Sequence, residues 1–299
     1  MTGTMPRFTF ITACLLALAT LPAISHGETD VRNASSLKFD NGFSGPPASQ
    51  WPADAPPVRF YFAPGDAAPS CGLLVAAKGQ VIPLVEPDEG SNFPQCIGVP
   101  SAMVLQQGAK RYLLLRVKQK DTREDTSLND LLFVEAAGVP QAQDDLSGTT
   151  APATSKPLPQ VAAWLRARWV NQADTAAGAR AWPEHTATTP GAYLALSQTA
   201  GGQCQYAVGT PEAAAPSLKV SHPCERVSAT SAFQQGASSW FVALVQQPGA
   251  GAEALVFEVD GKGAREVPAY AAELKAKAAD GKILPLRQAL QKLVATSKH

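Results

Sequence analysis

Side chains able to carry acid–base, nucleophilic or metal chemistry are few in this chain: four histidines, five cysteines and 25 carboxylates among 299 residues. His26 and His299 lie near the ends, which leaves His185 and His222 for any imidazole-dependent mechanism. His185 follows Glu184 in a stretch without periodicity and reads as an exposed loop residue. His222-Pro223-Cys224 brings two ligand types close together, but a cysteine binds metal as a free thiolate, and Cys224 is expected to be spent in a disulfide. The H-E-x-x-H helix of zinc peptidases does not occur.

Serine and carboxylate chemistry is equally unmarked. Gly236-Ala237-Ser238-Ser239-Trp240 lacks the second glycine of a nucleophile elbow. Ser35-Ser36-Leu37-Lys38 matches S-x-x-K, but the companion motifs of penicillin-recognising enzymes are missing. Asp88-Glu89 and Asp144-Asp145 sit in turn-like surroundings. Asp121, Glu124, Asp125 and Asp130 are expected in a hairpin loop after Val117, without the spacing of a calcium loop. A glycoside-hydrolase pair needs only two suitably separated acids, so a carboxylate-dependent hydrolase rests on residues that no motif singles out. No Gly-rich phosphate loop follows a strand. The expectation is therefore no catalytic residue, no metal and no cofactor, with the binding residues unidentified and enzyme activity left open, the balance leaning against it.

The cysteines carry a different message. Residues 1–27 read as a signal peptide, with Arg7 as the positive start and Phe8 to Leu21 as an apolar stretch too short to span a bilayer. Small residues place cleavage after Ser25 or Gly27, and Cys14 lies inside the apolar stretch, away from either site. The mature chain is then expected to be exported to the periplasm or secreted, without stable membrane insertion, and to keep Cys71, Cys96, Cys204 and Cys224. An even number of cysteines in an exported chain argues for disulfides. Asn33-Ala34-Ser35 is a glycosylation sequon, relevant only in a host that glycosylates such sites.

An internal repeat selects among the three possible pairings. Cys71-Gly-Leu-Leu-Val, Pro94-Gln-Cys96, Gln106-Gln107-Gly108 and Tyr112-Leu-Leu-Leu-Arg-Val117 recur as Cys204-Gln-Tyr-Ala-Val, His222-Pro-Cys224, Gln234-Gln235-Gly236 and Trp240-Phe-Val-Ala-Leu-Val245. The offset is 133 at the first cysteine and 128 at every later landmark. Equivalent positions pair equivalently, which predicts Cys71–Cys96 and Cys204–Cys224.

The elements that would position any site follow from periodicity. Short apolar strands at 58–62, 112–117, 131–134, 192–196, 240–245 and 255–257 are separated by turn residues, the signature of antiparallel meanders. Leu113, Leu115 and Val117 share one strand face and should be buried, as should Phe241, Ala243 and Val245. Val161, Trp164, Leu165 and Trp169 mark a helix over 158–171, with Pro157 and Pro159 at its start; both tryptophans are expected to pack against a sheet. A short helix near 269–279 and a stripe of Leu286, Ala289, Leu290, Leu293 and Val294 end the chain.

The expected fold is mainly β with flanking helices (α+β): two duplicated antiparallel β-meander modules, each with one disulfide and a following amphipathic helix. The division is signal peptide 1–27, lead-in 28–57, first module with its helix 58–171, irregular connector 172–190, and second module with C-terminal helices 191–299. Ser147 to Lys156 reads as a linker inside the first module.

A formal net charge of zero over 25 basic and 25 acidic residues excludes a polybasic nucleic-acid binder. What remains is an exported, non-catalytic binding protein whose partner is another protein of the bacterial cell envelope. An inhibitor or immunity protein that neutralises an envelope-targeting toxin enzyme fits this profile. The alternatives are an envelope assembly or structural accessory and the carboxylate-dependent hydrolase.

Overall fold

The computed structural model describes residues 59–63, 70–75, 80–136, 139–143 and 156–297. The signal peptide with its cleavage sites, the 28–57 lead-in, the Ser35–Lys38 motif, the Asn33 sequon, Asp144, Asp145, most of the linker, His26 and His299 lie outside the described residues.

Alternating strand patterns become two pairs of antiparallel sheets. Strands β1 (Arg59–Ala63), β2 (Ser70–Val75) and β3 (Gln80–Val85) form a three-stranded sheet in chain order. Strands β4 (Gln95–Gln107), β5 (Lys110–Lys120), β6 (Thr126–Ala136) and β7 (Val139–Ala142) form a four-stranded meander. Helix α1 (Leu158–Ala176) follows. Short β8 (Arg180–Ala181) and β9 (Ala187–Thr189) both pair with β10 (Ala192–Gln198), which continues to β11 (Gln203–Gly209) and β12 (Leu218–Pro223) in a five-stranded sheet. Strands β13 (Arg226–Gln235), β14 (Ser238–Gln247), β15 (Gly251–Asp260) and β16 (Gly263–Glu266) make a second four-stranded meander. Helices α2 (Pro268–Glu273), α3 (Lys275–Ala278) and α4 (Ile283–Thr296) end the described chain.

The two Gln-Gln-Gly sequences are hairpin turns. Gln107 pairs with Lys110 and Gln235 with Ser238, so each loop has two central residues, and Gly108 (φ 57°) and Gly236 (φ 61°) supply the positive φ such a loop requires.

Side-chain alternation stacks these sheets into layers. Leu113, Leu115 and Val117 of β5 face the three-stranded sheet and meet Leu73, Val75 and Val99. Tyr112 and Leu114 face the other way and are covered by Leu158, Val161, Leu165 and Trp169 of α1. The far side of α1 places Ala163 and Ala167 on Tyr193, Ala195 and Ala207 of the five-stranded sheet. That sheet packs on Phe241, Ala243, Val245 and Phe257, while Trp240, Val242 and Leu244 are capped by Leu274, Leu286, Leu290 and Val294. The order is sheet, sheet, helix, sheet, sheet, helices. Strands β5 and β14 are covered on both faces, which is why both read as nearly unbroken apolar runs.

Three expectations change. First, the helix after the first sheets has no single apolar stripe with a free polar back: it buries residues against two sheets and extends to Ala176. Second, residues 172–190 are not irregular; they hold the last turn of α1, β8, a single 3-10 turn at Pro183–His185 and β9, with Trp182 and Thr189 buried. Third, Asp130 is not in the hairpin loop, which spans only 121–125, but inside β6, opposite Arg116.

Both disulfides form as paired above, Cys71–Cys96 and Cys204–Cys224, each with Cα atoms 5.7 Å apart. All four cysteines are buried between the sheets of their pair. Disulfides of this kind belong to an oxidising, extracytoplasmic compartment. Among the described residues no helix is long and apolar enough to cross a membrane. The bridges close separations of 25 and 20 residues, and a loop of that size contributes about 3 kcal/mol by restricting the unfolded chain. Replacing Cys204 and Cys224 together by Ser is expected to lower the unfolding free energy in urea by about that amount. An unchanged midpoint and slope would show that the bridge does not restrict the unfolded chain.

Candidate functional site

Helix α1 lies between two sheets, so only its two flanks remain for ligands, and polar contacts fix its orientation. At its start, Arg116 donates from one terminal nitrogen to the Lys156 carbonyl at 2.6 Å and forks its other donors onto Asp130 at 2.7 and 2.8 Å. A buried bidentate pair of this geometry orients what it touches. Further along, the Tyr112 and Trp169 rings lie 4.6 Å apart. On the other sheet, Asp174 accepts from Ser197 Oγ at 2.7 Å and from Lys219 Nζ at 2.8 Å.

The helix ends in a Schellman turn. The Ala179 amide donates to the Asp174 carbonyl and the Gly178 amide to the Thr175 carbonyl, with Gly178 at φ 87°. This turn sends β8 and the Pro183–His185 turn back alongside the helix, and a trough of about 620 Å³ remains between them. Trp164, Arg168, Asn171 and Thr175, at i, i+4, i+7 and i+11, form its helical wall, and Ala181, Pro183 and Thr186 form the other. The Arg168 guanidinium lies 5.5 Å from the Trp164 ring centre. Asn171 is 4% exposed; its amide nitrogen donates to Thr186 Oγ1 at 3.3 Å, and its carbonyl oxygen has no partner. A buried acceptor without a donor is costly, and a bound group that supplies the donor recovers that cost.

A second cleft, of about 450 Å³, lies at the β12, β15 and β16 edge beside α2 and α3, lined by His222, Glu253, Glu266 and Lys275. His222 Nε2 is 3.1 Å from Glu266 Oε2, and its ring meets Tyr206 edge-on at 5.8 Å. The Tyr206 hydroxyl is buried without a partner, and burial, then the nearby Glu266 and Glu253, raise its pKa. A carboxylate-oriented imidazole can shuttle a proton. Ser238 and Ser239 are buried, with Ser239 Oγ spent on Thr189 Oγ1 at 2.7 Å.

The residues singled out in the sequence are not brought together. His222 lines the β-edge cleft, whereas His185 sits in the 3-10 turn, with its carbonyl accepting from Thr230 Oγ1 and its ring 6.3 Å from Trp182. Asp121 and Asp125 cap their own hairpin with Gln119 and Thr122. Among the described residues no group of three or more His, Cys, Asp or Glu is placed to hold a metal ion. The four cysteines serve the bridges. Both tryptophans pack on the first four-stranded sheet as expected, Trp169 buried and Trp164 half-buried, and the exposed part of Trp164 also lines the trough. Asn171 and Arg168 were not indicated by any motif; the i, i+4 spacing of Trp164 and Arg168 is the one local signal that marks them.

Comparison of the chain with protein-family models, with curated proteins and with solved structures finds no match.

Proposed function

We propose that this protein is an exported, non-catalytic binding protein that holds another protein of the cell envelope in the trough beside α1. The observation that carries this reading is the combination in one trough of the Trp164–Arg168 stack and the buried, unpartnered Asn171 oxygen. Aromatic and arginine side chains are the usual energetic anchors of protein interfaces. The occupant this chemistry fits is a segment of a partner protein with an apolar side chain against Trp164, an N–H donor for Asn171 and a carboxylate near Arg168. In the periplasm such an activity suits an inhibitor or immunity protein that neutralises an envelope-targeting toxin enzyme.

The scaffold is in this reading a tandem duplication. Supporting it are the offset of 128 at the second cysteine, at Gln-Gln-Gly and at the aromatic strand start, disulfides that each tie the second of three consecutive strands to the start of the following meander, and the same order of elements in both halves: three consecutive strands of one sheet, a four-stranded meander, then helix. The second copy adds β8 and β9 to its first sheet, and β8 with the turn that follows it walls the trough. Duplication followed by this elaboration accounts for a binding site between two otherwise similar halves.

The test is affinity chromatography from the native envelope followed by calorimetry with the recovered partner. One-to-one binding is expected, with Trp164→Ala and Arg168→Glu each weakening it by roughly 30-fold or more, as an anchor of about 2 kcal/mol requires. Both residues are half-buried at the surface, so folding should be retained. Unchanged affinity in the double variant would reject the trough. Multiple turnover of an envelope substrate, lost on replacing Glu266 with Gln in a folded variant, would reject binding as the activity.

A further inference from the structure

The opposite flank of α1 holds a cation that forms no ion pair among the described residues. Arg166 is 3% exposed. Its Nε donates to the Pro211 carbonyl at 2.7 Å, and its guanidinium carbon lies 5.3 Å from the Trp169 ring centre. One terminal nitrogen, NH2, is buried with no hydrogen-bond partner. Among the described residues no carboxylate lies within ion-pair distance; Glu212, on the same loop, is exposed and farther away. A buried charge without a counterion is strongly unfavourable, and proteins keep one where a ligand supplies the opposite charge.

The geometry supplies room for that counterion. Arg166 lines a cavity of about 160 Å³ with Gln107, Trp169, Val170, Tyr193 and Pro216. At about 30 Å³ per water in the liquid, this is the space of about five waters. Gln107 accepts from the Tyr112 hydroxyl through Oε1, which leaves its amide NH2 as a second donor beside the cavity. Apart from the Tyr193 phenol, the remaining wall is apolar: an indole, a valine, a proline and the methyl groups of Ala173, Ala214 and Ala215. A guanidinium fork matches the two oxygens of a carboxylate, and apolar walls match a short hydrocarbon attached to it.

We infer that this cavity is a binding site for a short aliphatic carboxylate, with Arg166 as its counterion. Burial lowers the Arg166 pKa while Tyr193, Glu212 and Tyr112 act to raise it, consistent with a site that lacks a full counter-charge. The carboxylate belongs either to a free small acid or to the C-terminus of a polypeptide; the chemistry of the site is the same. The cavity and the trough lie on opposite sides of the helix, Arg166, Val170 and Ala173 against Trp164, Arg168 and Asn171, so either site can fail without the other.

Calorimetric titration of the purified protein decides the matter. Probes are sodium propionate, propionamide, sodium chloride, and a short peptide ending in alanine with its C-terminus free or amidated. Saturable propionate binding at least about tenfold tighter than propionamide is expected, and Ala173→Leu, which narrows the cavity without touching a charge, should abolish it. Arg166→Gln should do the same; if its loss of the Pro211 contact unfolds the protein, Ala173→Leu alone carries the test. Binding of the free-ended but not the amidated peptide, tighter than propionate, would support the site and identify a chain terminus as the source. Chloride binding as tightly as propionate, no saturable binding of any carboxylate, or full binding in folded Ala173→Leu would overturn the inference.

Discussion

Leu115→Asp is expected to remove most of the protein's stability. Leu115 is fully buried on β5, in the layer between the three-stranded sheet and the first four-stranded sheet, among Leu73, Leu113, Val117 and Phe133. The described side chains packed around it in that layer are apolar, so the new carboxylate either stays charged in an apolar layer or binds a proton and still lacks hydrogen bonds. Both outcomes cost about 4 kcal/mol or more against a total of roughly 5–15 kcal/mol for a natural domain. Leu115→Met, which conserves volume, should cost less than about 1.5 kcal/mol. Urea unfolding of the two variants is the measurement. Equal midpoints would mean that Leu115 does not face an apolar layer, and the arrangement of the two sheets would be wrong.

The second large effect is expected at Asp130. Arg116 and Asp130 face each other directly across β5 and β6, Asp130 is 4% exposed, and the pair reaches the backbone entering α1. Asp130→Ala strands a buried guanidinium and should cost about 3–5 kcal/mol. Replacing both members, Arg116→Met with Asp130→Leu, should recover most of the loss, because two apolar groups need no counter-charge. If the trough binds a partner as proposed, the double variant should bind it more weakly than the native protein, since the start of α1 loses the hydrogen bond from Arg116 to the Lys156 carbonyl. Thermal or urea unfolding and the calorimetric affinity together separate the two effects. A single variant as stable as the native protein would show that Arg116 finds water or another partner, and that the pair does not position the helix.

Local patterns carry one part of this molecule. Short apolar runs bounded by turn residues are properties of adjacent residues, so the strands around Tyr112–Val117 and Trp240–Val245 and the shared, buried face of Leu113, Leu115 and Val117 could be read without coordinates. The spacing of the cysteines also sufficed to choose Cys71–Cys96 and Cys204–Cys224, because matching sequence around each pair implies matching partners.

Layer order and sites required the tertiary structure. That α1 packs on a second sheet rests on Ala163 and Ala167, whose small side chains add little to any apolar periodicity yet let the sheet approach closely. Asp130 looks like one more acid of a hairpin loop until the strand register sets it opposite Arg116, 14 residues earlier. Trp164, Arg168 and Asn171 become a trough only when β8 and the turn after it return beside the helix, and Arg166 is sealed by Pro211 from a loop 45 residues later. Thus the sequence by itself determined strands, bridges and the buried strand face, which depend on interactions between near neighbours or on likeness between two stretches of the chain. The concave surfaces and buried charges were decided by packing between distant segments, where the partner of each polar group is chosen by the fold and leaves no local trace in the chain.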